Sequence, residues 1–130
     1  MDWTAEKTLG NDAYRRGDFE AAINHYTQAI AVCPTESTLF SNRAMCYKKL
    51  RDFEQCRTDA QKAVEIEEVN IKGQMLLGSS LCDLGRSDAS TERIQAGIDC
   101  LSRALGLCAS QSLRHYEAEL KLRLLLGICV

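Results

Sequence analysis

Five side chains in this sequence combine positive charge with amide donors at helical spacing: Lys7, Asn11, Asn42, Lys49 and Lys72. Lys7 and Asn11 are four residues apart, so a helix places both on one face. Asn42 and Lys49, seven apart, share a face two turns apart. Asparagine competes for the backbone of a helix interior, so its appearance on two such faces needs a reason. Lysine supplies charge and asparagine supplies neutral N–H donors, the combination that a carboxylate ligand requires. Helices would hold both kinds of group rigidly and limit the ordering entropy lost on binding. This chemistry is recognition rather than bond-making. No serine, cysteine or carboxylate pair stands at motif spacing from a base, so no catalytic residue is assigned.

The elements that must position these groups repeat along the chain. Leu9-Gly10, Arg43-Ala44 and Leu77-Gly78 fall in one register at a 34-residue offset, Asp18-Phe19 is answered by Asp52-Phe53, and Ala29-Ile30 by Ala63-Val64. A small residue at 10, 44 and 78 suits a point where two helices touch closely, and the period is that of a helical repeat array. A third unit keeps the register once about seven residues are skipped, with Ile94 opposite Phe19 and Phe53 and Ala104-Leu105 opposite Ala29-Ile30. The extra residues, 86–93, lack a large apolar side chain and follow Gly85, which predicts a lengthened hairpin loop open to trypsin. The periodicity predicts helices over 3–16, 19–32, 37–50, 53–66, 69–84, 92–107 and 111–127. The fold class is therefore all-α: one domain over 1–130, with three helix-turn-helix units (3–36, 37–68, 69–108) and a capping helix that covers the last hairpin.

Composition narrows the function classes. A net charge of −2 gives no global field toward nucleic acid or a membrane surface, so neither is expected as a partner. The seven cysteines form no CxxC pair, have no histidine at ligand spacing and occupy apolar positions, so they read as buried thiols with no metal or other cofactor. An odd number of reduced cysteines suits the cytoplasm, or the nucleus. The longest apolar run, 124–130, is too short to span a bilayer. It is unusually apolar for a chain end, however, and predicts self-association through the C-terminal helix or cover by a downstream segment.

Leu9-Gly10, Phe19, Ala22, Tyr26, Ala29 and Pro34 resemble the tetratricopeptide repeat, and the resemblance extends over nearly the whole chain. It implies a right-handed solenoid. Within that family, Asn42-Arg43-Ala44-Met45-Cys46-Tyr47 is similar to the second-repeat signature of co-chaperone modules. Such modules line a concave groove with the first helices of three repeats and hold the free C-terminus of a heat-shock chaperone, of the 70 or the 90 class. The resemblance implies that Lys7, Asn11, Asn42 and Lys72 grip the two carboxylates of a terminal aspartate, and that Lys49 reaches an upstream acid or carbonyl. Leu76 stands where many of these modules have an arginine, and is expected to offer the peptide an apolar wall. That feature, with Ile30-Ala31-Val32-Cys33-Pro34 and the string from Asn70 to Gly78, is similar to the CHIP family of co-chaperone ubiquitin ligases. The implied role is an adaptor that recruits chaperones to a ligase, non-catalytic in itself. A clamp of another co-chaperone (organising, phosphatase or immunophilin type) and a scaffold that binds an internal peptide remain as alternatives. Ile66-Glu67-Glu68-Val69 mimics such a chaperone tail, but it has no free carboxylate and reads as a helix end and turn.

Overall fold

The computed structural model describes residues 2–109, and the regular structure among them is helical throughout. Six helices follow one another: α1 (Trp3–Arg15), α2 (Phe19–Val32), α3 (Ser37–Lys49), α4 (Phe53–Ile66), α5 (Ile71–Ser87) and α6 (Thr91–Ala109). The repeated aspartates are N-caps. The Asp18 side chain accepts from the Ala21 N–H and that of Asp52 from the Gln55 N–H, while Asp2 and Asn70 do the same for Thr4 and Gly73. Each cap satisfies one of the orphan N–H groups at a helix start and is worth about 1 kcal/mol. The tail-like segment at 66–69 is the end of α4 and a turn, as expected, and the Glu67 carboxylate accepts a bond from Ser37 Oγ at 3.3 Å.

One turn closes all three hairpins. Gly17, Arg51 and Ala89 have φ of 81°, 61° and 54°. The next N–H in each case reaches back to a helix carbonyl: Asp18 to Ala13 at 2.9 Å, Asp52 to Tyr47 at 2.9 Å and Ser90 to Gly85 at 2.8 Å. The left-handed residue lets the backbone turn while capping the helix C-terminus.

The loop expected over 86–93 is instead short. Arg86 lies inside α5, Arg93 inside α6, and only 88–90 connect them. The inserted residues lengthen both arms of the third hairpin. Ser87 ends α5 38 residues after Lys49 ends α3, four more than the repeat, and α6 begins at Thr91, three residues before Ile94. Seven residues are close to two turns at 3.6 per turn, so one added turn per arm keeps every apolar face in register. Polarity suggested a loop because the added turns face solvent. Arg86 bonds Asp83 at 3.2 Å, and Arg93 reaches Asp88 at 3.0 Å and Glu54 at 3.5 Å.

The repeated small residues mark close helix contacts. A Cβ on Gly10 would lie 2.6 Å from the Tyr26 ring, and one on Gly78 2.7 Å from Leu101 and 2.9 Å from the Gly97 carbonyl. Ala44 is fully buried beside Cys56, Ala60, Leu76 and Leu77. Cys46, Cys56, Cys82 and Cys100 are buried free thiols, and Cys33 is half-buried. No described helix is long and apolar enough to cross a membrane. The capping helix expected over 111–127, and the self-association assigned to it, lie outside the described residues.

Candidate peptide groove

The first helices of the hairpins are tied to one another by polar side chains. Lys7 Nζ on α1 donates to Thr38 Oγ1 on α3 at 3.4 Å, Lys72 Nζ on α5 donates to Asn42 Oδ1 on α3 at 2.9 Å, and Lys48 Nζ on α3 donates to Ser79 Oγ on α5 at 2.9 Å. Between them opens a pocket of about 260 Å³ lined by Asn11, Tyr14, Arg15, Tyr26, Asn42, Met45 and Lys72. Three of the expected residues, Asn11, Asn42 and Lys72, therefore come together from three different helices.

Their hydrogen bonds orient them. The Tyr26 hydroxyl donates to Asn11 Oδ1, and Lys72 donates to Asn42 Oδ1. With each carbonyl end engaged, the NH₂ end of each amide is the one offered to a ligand, so the site presents two neutral donors beside an ammonium. Desolvation pushes the Tyr26 phenol up to about 12, with Cys46 and Tyr14 adding to the rise. The hydroxyl thus stays protonated at neutral pH and remains a donor to Asn11. Beneath the pocket, desolvation pushes the Cys46 thiol up to about 11, partly opposed by the charge of Lys72. An anion is matched to this arrangement because charge-assisted bonds from fixed donors need little reorganisation.

The other expected residues lie elsewhere. Lys7 is half-buried against Thr38, with its ammonium 6.0 Å from the centre of the Trp3 ring, and is not among the residues lining the pocket. Lys49 is exposed in the last turn of α3, outside the lining as well. Leu76 is not a groove residue at all. It has 0% exposure and packs in the second core cluster with Ala44, Cys56, Ala60, Leu77 and Cys100, so it offers a peptide no surface. The position one turn after Lys72 turns inward because a leucine there gains more from burial than from a wet wall.

Tyr14, Arg15, Tyr26 and Met45 are lining residues that sequence reasoning passed over. A signal for three of them existed. Tyr14 and Arg15 follow Asn11 by three and four residues, and Met45 follows Asn42 by three, so the stripes that placed the asparagines continue through them. Tyr26 is 2% exposed: its ring packs against Gly10 and its hydroxyl donates to Asn11 in the pocket wall. On a separate face, Arg43 forks onto Asp59 with two bonds of 2.7 Å and donates to Thr27 at 3.1 Å, joining α2, α3 and α4.

Known proteins resemble this chain over these helices. A sequence model described as TPR repeat matches residues 10–50, and one described as tetratricopeptide repeat matches 38–70. Over 104 residues, 80% of this chain, it is 30% identical to the E3 ubiquitin-protein ligase CHIP of Arabidopsis thaliana, and it spans 36% of that protein. The chain spans about a third or less of the length of the curated relatives it matches. Its fold superposes on the TPR2B domain of yeast Sti1, solved as a pHsp70 complex, with a TM-score of 0.85 at 17% identity over 98% of this chain and 94% of that one. It also superposes on the first TPR of Spaghetti, solved with the HSP90 peptide SRMEEVD, with a TM-score of 0.75 at 21% identity over 97% and 94% of the two chains.

Proposed function

We propose a role in peptide recognition from the premise that this chain belongs to the tetratricopeptide repeat family. In this reading it is an adaptor domain that holds the free, acidic C-terminus of heat-shock chaperones of the 70 and 90 classes, in the cytoplasm or nucleus. The observation that carries it is the convergence of Asn11, Asn42 and Lys72 on one pocket, with both amides turned so that their donor ends are offered. A carboxylate taken there exchanges water for two amide N–H groups and an ammonium on rigid helices, which favours an anion over a neutral chain. Relatives named for chaperone work and neighbours solved with Hsp70 or HSP90 segments support the choice of ligand.

The finer reading is that this domain recruits chaperones to a ubiquitin ligase of the CHIP kind, and the match to the Arabidopsis ligase supports it. Two tests separate the levels. Calorimetry with a free-acid peptide ending in Glu-Glu-Val-Asp should give Lys72→Ala a loss of about 1.5–3 kcal/mol, the value of a charge-assisted hydrogen bond; an unchanged affinity rejects the groove. For the ligase, ubiquitin transfer by the full-length protein onto a bound chaperone decides, and its absence leaves the domain with another kind of co-chaperone.

A further inference from the structure

We propose that Arg15 is a specificity-determining residue of the groove, reading the side-chain carboxylate two residues before the ligand's C-terminus. The inference rests on the peptide reading above. Arg15 belongs to the pocket lining, as Lys7 and Lys49 do not, so α1 contributes its positive charge to the pocket through Arg15. It stands one turn beyond Asn11, about 6 Å along α1. The pocket extends in that same direction, from Asn11 and Asn42 toward Tyr14 and Met45, which each lie three residues further along their helices. An extended peptide advances about 3.3 Å per residue, with alternate side chains on one side. A ligand whose last carboxylates sit on Asn11, Asn42 and Lys72 therefore brings the side chain two residues earlier to the level of Arg15.

The guanidinium is available for exchange. Its ion pair is with Asp12 at 2.8 Å, three residues away on the same helix, and the two side chains are 74% and 47% exposed. Exposed pairs of this kind contribute little, so a ligand carboxylate that can take both arms of the fork competes with Asp12. Arginine rather than lysine matters here because the planar fork selects a carboxylate in a set orientation.

The test is a double-mutant cycle by calorimetry on the intact chain, with free-acid peptides ending in Glu-Glu-Val-Asp or Glu-Gln-Val-Asp, against wild type and Arg15→Gln. The wild type should bind the first peptide about fivefold more tightly than the second, the scale of one partly exposed pair. Arg15→Gln should bind the two equally, losing affinity chiefly for the Glu peptide, with an unchanged circular dichroism spectrum. Retention of the fivefold preference in Arg15→Gln, or an equal loss on both peptides, overturns the assignment of Arg15 while leaving the Asn11, Asn42 and Lys72 site standing. Failure of the wild type to bind either peptide rejects both readings together.

Discussion

At the scale of single residues, burial decides which side chains can serve a ligand. Leu76 shows this most plainly: the family resemblance implies a place in the groove, yet it is enclosed by Ala44, Leu77 and Cys100. Leu76→Ala should therefore cost stability, about 2–5 kcal/mol from lost burial and the cavity left behind. Leu76→Arg should lower the melting temperature rather than shift peptide preference. Thermal unfolding of the two variants checks this, and a well-folded Leu76→Arg with altered ligand choice would return the residue to the groove. The thiols obey the same rule. Desolvation pushes Cys46 up to about 11 and Cys56 up to about 12, so the thiolate is scarcer at pH 8 than for an open thiol. Alkylation of the native protein at pH 8, mapped by mass spectrometry, should label half-buried Cys33 ahead of Cys46, Cys56, Cys82 and Cys100. The asparagines were legible in the sequence because an amide in a helix interior needs a purpose. Tyr26 was not, since a ring that is core and a hydroxyl that is site look alike in a pattern of apolar spacing.

At the scale of elements, the repeat was legible because each hairpin uses the same devices at the same places. Aspartate caps the second helix in the first two hairpins and Ser90 takes that place in the third, a left-handed residue closes each turn, and a small residue admits the partner helix. The third hairpin was misread where it departs from its siblings. A polar insertion has the composition of a loop, and only its length, close to two full turns, hinted that it could be shared between two helices. The turn it displaces gives a direct test. Ala89 holds φ of 54°, a conformation that costs an L side chain about 1 kcal/mol and glycine much less. Ala89→Gly should thus raise stability by about 0.5–1 kcal/mol in chemical denaturation. A loss of stability would mean that this turn is not left-handed. Limited trypsin digestion offers a second view of the same element, and Arg86 and Arg93 should be cut slowly, because both sit within helices and in ion pairs.

At the scale of the whole molecule, three hairpins act as one frame that holds polar groups from α1, α3 and α5 in a common pocket. Periodicity foretold that frame well, because a solenoid is built from neighbour contacts that each repeat carries in its own sequence. The composition of the pocket wall was less legible, since which of several lysines faces inward depends on helix rotation by fractions of a turn. Lys72 and Arg15 line the pocket, while Lys7 turns toward Thr38. In the proposed reading this wall recognises a free carboxylate at a chain end. Titrating the protein with one peptide ending in Glu-Glu-Val-Asp, prepared once as the free acid and once as the C-terminal amide, tests it most directly. The acid should bind with micromolar strength, about −8 kcal/mol, and the amide should show no measurable binding under the same conditions; equal heats and equal affinities for the two peptides would rule out recognition of the terminal carboxylate.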